Sequence, residues 1–248
     1  MHKFFRVESL HALHAVQSNF VKPKTLAWVR TMLAVYALLT LLVKLVFMAE
    51  SPISYVMYIT NFSYYSLVVY FMISAYLSWR FVLDPDSFAW QGYHWGVRFP
   101  YFLLYQTTVA TSFIVGIVYW GLLARKELPQ STALEVFFSV SMHGINMILA
   151  GCEVYLSLNP FIITHVLLYL PLLLLYVPLS HIIHYYTDKW AYFFLDYNEE
   201  PIFFSCFMVG IVVLVIGLHC ALTKLHTIRN RHNKFNFPES DPSICEKS

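Results

Sequence analysis

The sequence predicts an all-α fold, a polytopic transmembrane helical bundle of about six spans with both termini cytosolic, and three observations predict it. Charge is scarce: 12% of the 248 residues are charged and 58% are hydrophobic, where a soluble domain carries roughly 25% charged residues. The charges are missing in long runs. Residues 51–79, 99–124, 154–187 and 201–223 contain no Asp, Glu, Lys or Arg, and each run exceeds the roughly 20 residues that cross a bilayer core. Lys and Arg are also shared unevenly between the two sides that six spans define. Lys3, Arg6, Lys22, Lys24, Arg30, Arg80, Arg98, Lys224, Arg229, Arg231, Lys234 and Lys247 fall on the side of the termini, against Lys44, Arg125, Lys126 and Lys189 on the other. That asymmetry orients the termini toward the cytosol.

Residues 1–26 are expected to form a cytosolic leader, amphipathic or flexible. Lys3, Arg6, Glu8, Lys22 and Lys24 leave it no apolar stretch for a cleavable signal. The bundle is expected to occupy residues 27–224. Its first span, 27–48, carries Arg30 and Lys44 near its ends, where long cationic side chains reach the headgroups. The second, 52–79, is read as one uninterrupted helix. The connection that follows holds Trp90, Tyr93, His94 and Trp95, aromatic residues suited to headgroup level. The third span is 99–124. The fourth, 133–156, is interrupted only by Glu135 and Glu153. The fifth, 161–187, contains Pro171 and Pro178, which remove backbone donors and bend the helix. The sixth, 201–224, carries His219, an expected interface residue with His226 just beyond it. A basic, then disordered, tail covers 225–248. Its Lys and Arg cluster reads as a stop-transfer anchor, so no nucleic-acid partner is expected. Cys152, Cys206 and Cys220 lie within spans, which argues against a disulfide framework.

Polar residues inside spans are the functional candidates. In the fourth span Glu135, Ser139, His143, Asn146, Ala150 and Glu153 recur at helical spacing and fall on one stripe roughly 80° wide. Such a stripe is costly against lipid and should face other helices. Interhelical hydrogen bonding accounts for Ser139 and Asn146; a mid-membrane imidazole calls for more. The second span holds Thr60, Asn61, Ser63 and Ser66. A lone hydroxyl in a membrane helix usually bonds its own backbone, so the case for Thr60 depends on a partner. Both spans enter from the same side. At 1.5 Å per residue Thr60 lies roughly 10 Å, and His143 roughly 15 Å, below that entry. A hydroxyl needs a base to become a nucleophile, and His is the usual one. His181, also in the outer half, is the alternative base. His181 and His184 lie three apart on one helix face but have no third ligand nearby, so no metal is expected.

The segments Tyr58-Ile59-Thr60-Asn61, His143-Gly144-Ile145-Asn146 and Leu195-Asp196-Tyr197 resemble, in order and spacing, those of the androgen-induced and androgen-dependent TFPI-regulating proteins. The closer likeness is to the rolling stone branch. That branch shows Leu-Thr-Asn, His-Gly-Val-Asn, Tyr-Pro-Leu-Leu and Leu-Asp-Trp in the same order. Here the third reads Tyr169-Leu170-Pro171-Leu172, with one extra residue. The likeness covers about residues 30–223. The androgen-induced members are threonine hydrolases of fatty acid esters of hydroxy fatty acids. The resemblance implies that their nucleophile falls on Thr60 and their histidine on His143. Rolling stone is known for a role in myoblast fusion, with no activity to carry over. The sequence departs from the hydrolase members around Asn61 and Gly144-Ile145-Asn146, which bears on substrate choice and on activity.

Two readings therefore stand. The first is an intramembrane hydrolase of lipid esters without a cofactor, with Thr60 as nucleophile and His143 as general base and then acid. Asn61 or Asn146 would support the oxyanion. Its partners are membrane lipids, and its substrate enters laterally from the bilayer of the endoplasmic reticulum or plasma membrane. The second is a non-catalytic membrane-organising or cell-fusion protein of the rolling stone type. A haem or metal redox protein ranks behind both, because it wants histidines on several facing helices and the second and third spans have none. The residues give no role to Glu135, Glu153, His165 or His184.

Overall fold

The computed structural model describes residues 5, 10–47, 52–86, 88 and 94–231. Trp90, Tyr93, most of the first nine residues and the tail beyond 231 lie outside the described residues. Within them the protein is helical, with no strand. Six helical runs are long and apolar enough to cross a membrane: Pro23–Phe47, Ile59–Leu83, Trp95–Gln130, Ala133–Leu156, Ile163–Thr187 and Pro201–Arg229. The chain is an all-α, six-helix, membrane-type bundle. An even number of crossings puts the start of the first run and the end of the last on one side, here termed inner.

Helix α1 (Pro23–Phe47) opens on a proline, which costs no hydrogen bond in a first turn. The second crossing is not the uninterrupted helix expected from residue 52. It begins with α2 (Pro52–Met57), breaks at an extended Tyr58 (φ −104°, ψ 128°) and restarts as α3 (Ile59–Leu83). Neither Pro nor Gly marks the break, and hydropathy is blind to it. Thr60 consequently sits in the first turn of a helix, where backbone N–H groups have no partner one turn earlier. The third crossing is α4 (Trp95–Val118), a π-helical turn Tyr119–Leu123 and α5 (Ala124–Glu127). The fourth is α6 (Ala133–Ser139), a second π turn Val140–Ile145 and α7 (Asn146–Leu156). Thr132 and Glu135 form a capping box at its start. The fifth divides into α8 (Val166–Leu174) and α9 (Tyr176–Thr187); Pro178 has no N–H for the Leu174 carbonyl. The sixth is α10 (Pro201–Arg231).

Helix α3 packs between α1 and α4, and α4 also meets α7 and α10. Tyr64, Leu67, Phe71, Phe102 and Tyr105 fill the centre. Outward positions such as Met32, Val46, Ile148 and Val209 are exposed and apolar, as a lipid-facing surface requires. In α10 the buried side chains are Val215, His219, Leu222 and His226, whose spacing defines a single stripe. His219 and His226 are thus interior residues, contrary to the expectation that they sit at the interface. Tyr105 and His226 share a hydrogen bond of 3.0 Å.

One further expectation at the inner end is corrected. Arg30 does not reach the headgroups; it is fully buried. Its guanidinium pairs with Glu153 at 2.5 Å and 3.2 Å and donates to Ser78 Oγ and the Ala15 carbonyl. Tyr70 donates to the same carboxylate at 2.7 Å, and Asn159 donates to the Tyr70 oxygen at 2.9 Å. A charge taken out of water is tolerated only when paired and hydrogen-bonded in this way. The described part of the leader packs into the bundle. Leu10, Ala12, Ala15 and Val16 are buried, and the Leu158 N–H donates to the Gln17 carbonyl. The segment closes the inner end of the bundle.

Candidate active site

Three adjoining spaces lie in the outer half. A narrow throat of about 80 Å³ is lined by Thr60, Tyr119, His143 and Tyr192 among mostly apolar side chains such as Ile114 and Leu195. A polar vestibule of about 440 Å³ shares those four residues and adds Lys44, Asn61, Glu127 and Glu135. A groove of about 360 Å³ shares Ile59, Thr111, Leu173 and Tyr176 with the throat. Its wall includes Phe62, Leu172 and Leu175, all exposed on the membrane-facing surface. Thr60 and His143 therefore stand where a polar space meets an apolar one that opens toward lipid.

Local structure explains each placement. The break at Tyr58 sets Thr60 at the start of α3, buried. Its Oγ1 shares a hydrogen bond of 3.3 Å with the Tyr192 hydroxyl, and its backbone amide lies beside the same oxygen. His143 projects from the π turn of the fourth crossing and stacks on Tyr119, in the π turn of the third, with ring centroids 3.7 Å apart and planes 5° from parallel. The two π turns thus face each other across the throat. A single wide turn inserted in a helix commonly re-aims a side chain at a functional site. The Val115 carbonyl lies beside the imidazole, while Nδ1 is buried without a hydrogen-bond partner among the described residues. Gly116 lets the two crossings touch there, since a Cβ on it would fall 2.9 Å from the His143 carbonyl oxygen.

The structure brings Thr60 and His143 to one throat, but no hydrogen bond joins them among the described residues; Thr60 is engaged with Tyr192. The polar stripe of the fourth crossing divides. Glu135, Ser139 and His143 line the vestibule, and Asn146, Ala150 and Glu153 are packed among helices. Asn146 accepts from Ser112 Oγ at 2.8 Å and donates to Ser63 Oγ and the Met142 carbonyl. It knots three crossings together and does not line the throat, so the expectation of an oxyanion role is not met by its geometry. Asn61 borders the vestibule, but it accepts from Lys44 Nζ at 2.9 Å and donates to the Tyr55 carbonyl at 3.1 Å. His181, the alternative base, is not brought to Thr60. It stacks on Tyr197, packs against Trp190 and bonds the Val177 carbonyl through Nδ1. His184 stacks on Trp190. His165 is buried at the inner end between Gln106 and the Phe5 carbonyl. The described residues contain no cluster of three or more His, Cys, Asp or Glu that could hold a metal.

Sequence reasoning missed Tyr192 and Tyr119. Tyr192 lies in the connection between the fifth and sixth crossings, where residues 190–195 form an apolar, largely aromatic run too short to span a membrane. That run folds back over the mouth, with Tyr192, Phe194 and Leu195 buried against Tyr119 and Leu123. The segment Leu195-Asp196-Tyr197 now has a physical account. Leu195 lines the throat, Asp196 accepts from the amides of Asn198 and Glu199 to turn the chain into α10, and Tyr197 stacks on His181.

Comparison of the chain with protein-family models, with curated proteins and with solved structures returns no match.

Proposed function

We propose that this protein is an integral-membrane hydrolase of lipid esters, with Thr60 as nucleophile and His143 as general base and then acid. The observation that carries the reading is the position of both residues at a throat between a polar vestibule and a lipid-facing apolar groove. An amphipathic ester entering sideways from the bilayer leaves its chain in the groove and its polar end in the vestibule, with the ester bond at the throat. Fatty acid esters of hydroxy fatty acids, the substrates of the androgen-induced proteins that Thr60 and His143 resemble in their surroundings, are the first class to try. The Lys and Arg asymmetry supports a cytosolic inner end, and we propose the endoplasmic reticulum or the plasma membrane as its location.

The chemistry balances as two transfers. Thr60 Oγ1 gives its proton to the imidazole and bonds the ester carbon, whose carbonyl pair moves onto oxygen. Collapse expels the alkoxide, which takes the proton from His143 and leaves as the alcohol. A water molecule from the vestibule then gives a proton to His143 and attacks the acyl-threonine. Oγ1 departs, recovers that proton, and the carboxylic acid is released. A low dielectric strengthens every one of these polar interactions.

The test is mass-spectrometric screening of the purified full-length protein in lipid nanodiscs against a broad panel of lipid esters. Appearance of free acid and alcohol, lost in both Thr60→Ala and His143→Ala, supports the hydrolase. An untouched panel contradicts it and favours the non-catalytic, membrane-organising reading.

A further inference from the structure

We infer that the Tyr192 hydroxyl is the donor that receives the ester carbonyl oxygen as it becomes an oxyanion, and that in the resting protein it is held on Thr60. The inference rests on the hydrolase reading and adds a residue that the segments around Thr60 and His143 do not contain.

Three observations carry it. The phenol is fixed: Tyr192 is buried, stacks on Phe194 with centroids 4.9 Å apart, and meets Tyr58 edge to face at 5.7 Å. Its oxygen is already at the nucleophile, 3.3 Å from Thr60 Oγ1 and beside the Thr60 amide. That amide belongs to the first turn of α3, where N–H groups lack intrahelical acceptors and the helix dipole favours negative charge. The carboxamides that would otherwise serve are engaged elsewhere, Asn61 with Lys44 and Tyr55 and Asn146 with Ser112, Ser63 and Met142. A tetrahedral centre built on Thr60 Oγ1 keeps its anionic oxygen within reach of groups that surround Oγ1, and the Tyr192 hydroxyl is one.

The protonation state agrees. Burial pushes the Tyr192 phenol up to about 12, so at neutral pH it keeps its proton. It can donate a hydrogen bond but is no base, which leaves proton abstraction to His143. The sequence of events follows. At rest Tyr192 and Thr60 share a hydrogen bond. When Oγ1 loses its proton to the imidazole and bonds the ester carbon, the phenol O–H turns from Oγ1 to the developing oxyanion, the stronger acceptor. No proton leaves Tyr192 at any step. The interaction is stronger in the transition state than in the ground state, which is the condition for raising kcat.

The experiment compares wild type, Tyr192→Phe and Thr60→Ala in nanodiscs, on whichever ester the wild type hydrolyses best. The expected result for Tyr192→Phe is a fall in kcat of about 10²–10³-fold, with KM within about twofold and thermal stability retained. Incorporation of 3-fluorotyrosine at position 192 preserves the fold and makes the phenol a stronger donor, so kcat should rise. This second arm decides the matter if Tyr192→Phe does not fold. Turnover unchanged in the folded Phe variant, or unmoved by fluorination, overturns the inference; if Thr60→Ala is dead in the same assay, the hydrolase reading survives that failure. A wild type that cleaves no ester and is not labelled by an alkyl fluorophosphonate overturns both.

Discussion

The inner and outer ends of the bundle both bury polar side chains between crossings, and they satisfy them differently. At the inner end Arg30 has Glu153, Ser78 and Ala15 as partners, and Tyr70 and Asn159 extend the chain of hydrogen bonds around the carboxylate. The network is closed over by the leader. At the outer throat Thr60 Oγ1 shares a 3.3 Å contact, and His143 Nδ1 has no partner among the described residues. Buried polar groups are nearly always paired; what sets the outer residues apart is that they border open space that a ligand can enter. The inner set is packed among helices and holds them together. Both sets look alike in sequence: a few polar residues inside apolar runs.

The comparison can be broken by substitution. The largest effect is expected at the throat: Thr60→Ala and His143→Ala should each lower ester turnover by about 10⁴-fold or more, and the double variant should be little worse than either. Steady-state kinetics in nanodiscs check this; additive losses would mean that the two do not act as one unit. Next, Glu153→Gln leaves Arg30 buried without its counter-charge and should cost about 3–5 kcal/mol of stability. Thermal unfolding reads that loss, while kcat of the protein that remains folded should hold. A selective loss of kcat would give the inner network a part in the chemistry. Third, Gly116→Ala puts a Cβ 2.0 Å from Met147 Sδ and 2.9 Å from the His143 carbonyl oxygen. It should cost about 1–3 kcal/mol by overpacking and lower kcat more than it raises KM, because the imidazole is displaced. The smallest effect belongs to His181→Ala, which should leave turnover within about twofold. A collapse there would restore His181 as the base.

Much of the architecture was legible because hydropathy and charge counting act over whole crossings, where single residues average out. That Thr60 and His143 line one space was legible for the same reason, since similar depth needs only span boundaries and helical rise; their pairing as a catalytic unit is the proposal. What stayed hidden turns on local geometry that composition does not encode. The break at Tyr58 carries no Pro or Gly. The two π turns insert a wide turn without a sequence marker, yet they aim His143 and Tyr119 at each other. Arg30 near a span end reads as a headgroup anchor until Glu153, 123 residues later, is seen beside it. Tyr192 is in a connection, where an aromatic run reads as interface. His219 and His226 were placed by their distance from the boundary, but the spacing with Val215 and Leu222 on α10 is what buries them.

The central claim is that Thr60 is a nucleophile activated by His143, and covalent capture addresses it most directly. The full-length protein in nanodiscs is treated with a long-chain alkyl fluorophosphonate, digested, and the modified residue located by tandem mass spectrometry. An adduct on Thr60 is expected, absent from Thr60→Ala and lost in His143→Ala. An adduct on Ser63 or Ser66, or labelling of Thr60 that persists without His143, would contradict it.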